Sequence, residues 1–155
     1  MSSITLLLMS STIYAVSIDC PNMIQFAYDL GMQTARPTIW SALQGDCCNY
    51  GATLVICDGS QRVTEIHWNN FGLNRVINGT AIPSRVTVLY LFNNAISGSI
   101  PSALPSGLVA LYLYNNAISG SIPNTLSSGL VVLSLYGNQM SGDLPFFPST
   151  LTHLW

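Results

Sequence analysis

The chain has 155 residues, of which 49% are hydrophobic and only 6% are charged, with four basic and six acidic side chains. All four basic residues are arginines, and no charged side chain occurs between positions 86 and 142. Because nucleic-acid phosphates are bound by clustered basic side chains, this composition excludes nucleic acid as a ligand. The length suits a single domain.

Residues 1–17 predict a secretion signal. Positions 4–16 are largely apolar, and Ala15, Val16 and Ser17 provide small side chains where signal peptidase cleaves. The alternative is a buried amino-terminal helix or strand. No later stretch reaches the roughly 18 apolar residues that a membrane-spanning helix needs. The chain is therefore expected to be secreted or at the cell surface, either by itself or as the amino-terminal part of a longer, membrane-anchored, receptor-like protein.

Residues 18–62 predict a cap that contains two short helices. Apolar side chains at helical spacing run through positions 22–32 and stop at Gly31. A second helical segment at 38–43 carries Trp40.

Four cysteines lie within this cap and none follows it: Cys20, Cys47, Cys48 and Cys57. In a secreted chain, an even number of cysteines near one end is typical of a disulfide framework. Adjacent residues hold their α-carbons closer than usual disulfide geometry allows, so Cys47 is not expected to pair with Cys48. Two pairings stay open, Cys20–Cys47 with Cys48–Cys57 or the crossed arrangement. A zinc site is disfavoured, because C-x2-C spacing and a nearby histidine are missing.

From Val63 onward the chain repeats itself. Residues 93–101 read NNAISGSIP, the same letters recur at 115–123, and a looser copy, GNQMSGDLP, occupies 137–145. The spacing is 22 residues, and a constant period in the twenties predicts a solenoid in which each turn packs only against its neighbours. The first repeat is irregular, with Phe71 where later repeats have asparagine, as is common for a terminal repeat.

Each regular repeat predicts a short strand followed by a bend. Leu111 and Leu113 are expected to point inward and Tyr112 outward. The asparagines that follow the strands should satisfy backbone groups in the bend; they are Asn94, Asn116 and Asn138. The glycines of the Ser-Gly pairs should permit a tight or positive-φ turn; they are Gly98, Gly120 and Gly142.

The frame L-x-x-L-x-L-x-x-N-x-[IM]-S-G-x-[IL]-P resembles the plant-type leucine-rich repeat over residues 63–155, with about four repeats, the last one incomplete. The stretch from Asp46 to Asp58 resembles the paired-cysteine amino-terminal cap of the same family, although Tyr50 stands where tryptophan is usual. The resemblance implies a mostly β, α/β right-handed solenoid with a parallel strand ladder and a disulfide-stapled helical cap. It also implies the pairs Cys20–Cys47 and Cys48–Cys57. Family members serve as receptor ectodomains, polygalacturonase-inhibiting proteins and other extracellular recognition proteins, which implies binding rather than catalysis.

Stacking the repeats predicts two outward-facing columns on the strand ladder. One column reads His67, Tyr90, Tyr112 and Ser134, and the other reads Asn69, Phe92, Tyr114 and Tyr136. The flanking positions are small and apolar: Val88, Ala110 and Val132. Grouped exposed aromatics are typical of contact surfaces, so we expect this concave face to bind a protein, a peptide or a polysaccharide. The alternative is cross-strand stabilisation with no ligand.

No pattern of residues predicts catalysis, a cofactor or a metal. The two histidines are His67 and His153. Glu65 and His67 should point the same way from one strand and could act as acid and base, but a polar rim of a binding face explains them as well.

Two further features concern the periphery of the repeats. Asn78-Gly79-Thr80 is the one N-glycosylation sequon of the chain. Residues 151–155 begin a strand that no polar capping segment follows, which leaves an apolar edge. The sequence thus predicts either continuation of the solenoid beyond Trp155, or a structural or adhesive protein that associates with itself through this edge.

Overall fold

The structure is a computed structural model that describes residues 17–45, 47–48 and 53–155. Apart from Ser17, the predicted secretion signal lies outside the described residues. So do Asp46, Tyr50 and Gly51 of the predicted cap motif.

The cap begins with three helices, α1 (Cys20–Asp29), α2 (Met32–Ala35) and α3 (Pro37–Leu43). Helix α1 buries one side of its surface, and its buried residues are Cys20, Met23, Phe26 and Ala27. It ends before Gly31, whose φ of 84° is unfavourable for residues with a side chain. The predicted helices are therefore present, but the first is divided at Gly31 and α2 follows the break.

Two disulfides join the cap, Cys20–Cys47 and Cys48–Cys57, with Cα–Cα distances of 5.5 and 5.7 Å. This is the pairing that the family resemblance implies, and the crossed arrangement is wrong. Cys20 and Cys47 are buried, whereas Cys48 and Cys57 are only partly buried. The first disulfide therefore lies in the core of the cap.

A buried carboxylate connects the cap to the first strand of the repeats. Asp19 accepts hydrogen bonds from Arg62 Nε at 2.8 Å, from Arg62 Nη2 at 2.9 Å and from the Val63 amide at 2.9 Å. Because a buried charge is tolerated only with such partners, this cluster fixes the start of α1 against the start of the solenoid.

The repeats form one parallel ladder that begins with an antiparallel pair. Strand β1 (Val55–Cys57) runs antiparallel to β2 (Val63–His67). Parallel partners then follow in the order β3 (Val88–Tyr90), β5 (Ala110–Tyr112), β7 (Val132–Ser134) and β9 (His153–Leu154). A second sheet contains β4 (Ser97–Gly98), β6 (Ala117–Gly120) and β8 (Gln139–Met140). The chain is thus a leucine-rich solenoid with a disulfide-stapled helical cap.

The register places the repeated leucines on top of one another. Leu89 pairs with Leu111, which pairs with Leu133, and all three are buried. Gly98, Gly120 and Gly142 have φ values of 79°, 80° and 87°, as the turn prediction requires. Two of the Ser-Gly dipeptides also contribute residues to the second sheet, where the sequence alone indicates only a turn.

The asparagine that follows each regular strand hydrogen-bonds to its own turn and to the turn before it. Asn116 Nδ2 donates to the carbonyls of Leu91 and Leu113, at 3.0 and 2.9 Å, and its Oδ1 accepts from the Ile96 amide at 3.0 Å. Asn138 repeats this pattern one turn later. The predicted backbone-satisfying role is therefore present, and each asparagine also links two turns.

Candidate ligand-binding face

The structure places the first predicted column along neighbouring strands. His67 pairs with Tyr90 and Tyr90 pairs with Tyr112 in the sheet register. The His67 and Tyr90 rings meet edge to face with centroids 4.5 Å apart, and the Tyr90 and Tyr112 rings stack with centroids 4.6 Å apart and an 11° angle. Ser134, the next member, is buried and carries no ring.

The three rings of the second column form a continuous stack. Phe92 and Tyr114 lie with ring centroids 4.4 Å apart at 10°, and Tyr114 and Tyr136 lie 4.5 Å apart at 12°. Tyr136 is the most exposed ring of this column, at 50%. Phe92 and Tyr114 are partly buried. We call the two columns together the aromatic strip: His67, Tyr90, Phe92, Tyr112, Tyr114 and Tyr136.

Stacking determines which part of each ring a ligand can reach. In a near-parallel stack, the face of an inner ring is covered by its neighbours, so its edge and its hydroxyl group remain for contact. The inner rings therefore have no free face for packing against a sugar ring. Ring edges carry partial positive charge and phenol hydroxyls both donate and accept hydrogen bonds, a combination that suits carbonyl-rich ligands.

Two phenols of the strip, those of Tyr90 and Tyr114, have raised pKa values. Burial raises the pKa of Tyr90, and the neighbouring Tyr112 and Glu65 raise it further. Burial likewise raises the pKa of Tyr114, with added contributions from Tyr136 and Tyr112. At neutral pH the Tyr90 and Tyr114 hydroxyls are therefore uncharged and available for hydrogen bonds.

A row of exposed asparagines borders the strip, and the sequence interpretation missed it. Asn70, Asn93 and Asn115 have positive φ values of 60°, 54° and 54°, a conformation that asparagine tolerates better than most residues. Asn93 Nδ2 donates to Asn70 Oδ1 at 3.1 Å, and Asn115 Nδ2 donates to Asn93 Oδ1 at 2.9 Å. The repeated Asn-Asn doublet was the available signal, because only its second member is needed in the bend.

The row of asparagines ends at Gly137, which has a φ of 68°. A Cβ at this position would overlap Asn115 Oδ1. Glycine therefore both permits the backbone conformation and leaves room for the preceding amide.

Glu65 and His67 meet at the first strand of the ladder. His67 Nε2 lies 2.9 Å from Glu65 Oε2, and both side chains are about one-third exposed. His153 lies on β9, where its Nδ1 is 2.8 Å from Thr152 Oγ1. The two histidines thus lie on the first and last parallel strands, and each has a local partner. Within the described ranges, no group of three or more metal-ligating side chains occurs.

Asn78 lies outside the aromatic strip, at the start of a short 3-10 helix (Gly79–Ala81). Its neighbours come from the cap and the first repeat rather than from the strand ladder.

Two consecutive segments of the chain, residues 85–106 and 107–128, match the family model described as Leucine Rich Repeat. No curated protein sequence matches the chain. None of the helices formed by the described residues is long and apolar enough to cross a membrane.

Several solved structures share the fold. The structure of PEPR1–AtPEP1 is 26% identical with a TM-score of 0.76, and the alignment covers 88% of this chain and 21% of that one. A second structure is the LRR ectodomain of the Arabidopsis thaliana receptor kinase GASSHO1/SCHENGEN3 in complex with CASPARIAN STRIP INTEGRITY FACTOR 2. It is 24% identical with a TM-score of 0.70, and the alignment covers 88% of this chain and 18% of that one. The BIR3–SERK2 complex from Arabidopsis thaliana is 27% identical with a TM-score of 0.66, and the alignment covers 80% of this chain and 71% of that one.

This chain therefore spans about a fifth of the first two proteins, and most of the third. The similarity supports the resemblance to the plant-type leucine-rich repeat. The likeness to polygalacturonase-inhibiting proteins stays an expectation.

Proposed function

We propose that this chain, a leucine-rich-repeat protein of the plant type, is an extracellular recognition module that binds a protein or peptide through its aromatic strip. The observation that supports this most is the pair of stacked aromatic columns on the outward face of the strand ladder. Exposed aromatics grouped in this way dominate many binding surfaces. The proposal is of binding and not of catalysis.

A peptide or protein ligand fits the strip better than a polysaccharide. At the inner rings, Tyr90 and Tyr114, neighbouring rings cover the faces that would stack on a sugar, whereas the phenol hydroxyls match backbone carbonyl and amide groups. The apolar positions Val88, Ala110 and Val132 lie beside the first column in sheet register and offer contacts for small apolar side chains. The BIR3–SERK2 structure is an assembly between proteins, which agrees with this ligand class.

The size of the face limits the affinity. Four or five strands at a spacing of about 4.8 Å, each with about 16 Å of chain, give a few hundred Å². A standard protein–protein interface uses roughly 800 Å² per partner. We therefore expect weak binding by this segment alone, and stronger binding where more repeats follow.

The extracellular assignment and the division into parts belong to the same proposal. Residues 1–17 would be the secretion signal, 18–62 the cap and 63–155 the repeats. The two disulfides support this arrangement, because such bonds persist in oxidising compartments. A membrane-anchored receptor-like protein would expose the same module outside the cell.

The double substitution Tyr112→Ala and Tyr114→Ala is expected to weaken ligand binding at least about tenfold, because one ring is lost from each column. Peptides are first selected on the immobilised secreted chain from a displayed library of random linear peptides. Their dissociation constants for the wild type and the double variant are then measured by fluorescence anisotropy. Near-ultraviolet and far-ultraviolet circular dichroism verifies that both proteins are folded.

Tyr28→Ala is the matched control, since Tyr28 is an exposed aromatic on α1, outside the strip. Selected peptides should bind this variant and the wild type equally well. Peptides that bind the double variant with undiminished affinity would show that the strip is not the binding surface. A glycan array in which oligosaccharides bind the wild type and not the double variant would show that the ligand is a carbohydrate instead.

A second candidate function is self-association, which the exposed apolar groups after β7 favour. Leu144, Phe146, Leu154 and Trp155 are exposed. A hollow of about 240 Å³ lies among Ile122, Leu135, Tyr136, Met140, Leu144, Leu154 and Trp155. Light scattering should show a mass that rises with concentration and returns to the monomer value in the Leu154→Asp variant. A monomer at all concentrations would exclude this candidate.

A further inference from the structure

The sequon asparagine is held at a contact between the cap and the first repeat. Asn78 Oδ1 accepts hydrogen bonds from the Thr80 amide at 3.2 Å and from Thr80 Oγ1 at 2.8 Å. Asn78 Nδ2 donates to Asp29 Oδ2 at 2.7 Å, and Asp29 is the last residue of α1. These hydrogen bonds fix the direction of Asn78 Nδ2, the atom that a sequon offers for glycosylation, although Asn78 is exposed.

An open hollow of about 710 Å³ adjoins this nitrogen. It is lined by Asp29, Arg75, Val76, Ile77 and Asn78. Val76 is 54% exposed, so its apolar side chain is accessible from this hollow. The Arg75 guanidinium lies 5.8 Å from the centre of the Tyr28 ring, so Arg75 also spans the contact between repeat and cap.

We propose that Asn78 carries an N-linked glycan and that its first N-acetylglucosamine occupies this hollow. The apolar face of the sugar covers Val76, and its hydroxyl and acetamide groups reach Asp29 and Arg75. The sugar then joins α1 to the first repeat. The proposal requires passage through the secretory pathway and does not depend on the ligand-binding function.

The chemistry is compatible with the hydrogen bond to Asp29. During secretion, Nδ2 forms a bond to C1 of the sugar while the bond from C1 to the oxygen of a lipid-linked diphosphate donor breaks. The diphosphate leaves with the bonding electron pair, and one of the two Nδ2 hydrogens leaves as a proton. Nδ2 keeps one hydrogen, which suffices for donation to Asp29.

The full chain, with residues 1–17 included, is secreted from a eukaryotic host that attaches high-mannose glycans. Intact mass should show one glycan, and endoglycosidase H trims it to a single N-acetylglucosamine. We expect the trimmed protein to keep the thermal midpoint of the intact glycoprotein, and the unglycosylated Thr80→Ala variant to melt at least about 2 °C lower. Enzymatic removal of the whole glycan is not a suitable reference, because it converts Asn78 into a carboxylate beside Asp29.

Contact between the sugar and Val76 is tested by introducing Val76→Ala into the trimmed glycoprotein and into the unglycosylated Thr80→Ala variant. Alanine is chosen because serine or threonine at position 76 would turn Asn74 into a second sequon. Val76→Ala should lower the midpoint at least about 2 °C more in the trimmed glycoprotein than in the Thr80→Ala background. Val109→Ala is the control at an exposed valine outside the hollow, 39% exposed, and should have equal effects in both backgrounds.

The effect of Val76→Ala on the thermal midpoint is measured within each background separately. The loss of the Thr80 hydroxyl therefore does not enter the comparison. A secreted protein without a glycan, or equal effects of Val76→Ala in the two backgrounds, would overturn the proposal. Loss of stability on trimming to one sugar would also overturn it, because the contact would then belong to outer sugars.

Discussion

Replacing Asn94 with alanine is expected to lower the free energy of unfolding by about 3 kcal/mol. Asn94 Oδ1 accepts from the amides of Phe71 and Leu73, at 2.9 and 3.1 Å. Its Nδ2 donates to the carbonyls of Trp68 and Leu91, both at 2.9 Å. Alanine would leave these backbone groups without partners inside the bend, and each such group costs about 1–3 kcal/mol when water cannot replace the bond.

The neighbouring Asn93 provides the control. Asn93→Gly keeps a residue that tolerates the φ of 54° and removes only exposed amide hydrogen bonds. We expect a loss below about 1 kcal/mol for this variant. Urea titration monitored by circular dichroism gives both values. Equal losses for the two variants would show that the bend asparagine has no special structural role.

Removing the two disulfides separately is expected to destabilise the protein to different extents. Cys20–Cys47 closes a loop with a sequence separation of 27, and Cys48–Cys57 closes one with a separation of 9. Loop-closure entropy then predicts losses of about 3.6 and about 2.7 kcal/mol for the respective double alanine variants. Burial increases the difference, because Cys20 and Cys47 also lose contacts in the core.

Thermal unfolding of the two double variants, each with its remaining disulfide verified by peptide mapping, provides the measurement. The Cys20→Ala and Cys47→Ala protein should melt at the lower temperature. A lower midpoint for the Cys48→Ala and Cys57→Ala protein would contradict the loop-length argument. It would point to native contacts of the second disulfide as the larger contribution.

The ladder was predictable because a constant period fixes its register. Once residues 22 positions apart are placed on adjacent turns, alternation within a strand decides which side chains point outward. Tyr90 and Tyr112 therefore had to be neighbours, as had Tyr114 and Tyr136. The same reasoning gave the buried leucines and the bend asparagines.

Features that depend on side-chain orientation or on distant pairs were not predictable in this way. The sequence gives no information on ring planes, so the near-parallel stacking that covers the ring faces emerged only in three dimensions. The contact between Asp19 and Arg62 joins positions 43 residues apart, outside the repeats, where no period indicates the register. The antiparallel pairing of β1 with β2 depends on the cap, where no repeat indicates which residues lie opposite each other.

The identical stretches at 93–101 and 115–123 occupy equivalent places in adjacent turns, so the chain could lose or gain one whole turn at this point. A deletion or duplication of 22 residues between them would leave the amino-acid sequence at the junction unaltered. The hydrogen bonds of each bend asparagine reach only the preceding turn, so a shorter or longer chain would keep the same contacts. A deletion would place Tyr136 directly beside Phe92, whereas a duplication would add a ring to each column. The number of turns and the extent of the recognition surface would therefore change together.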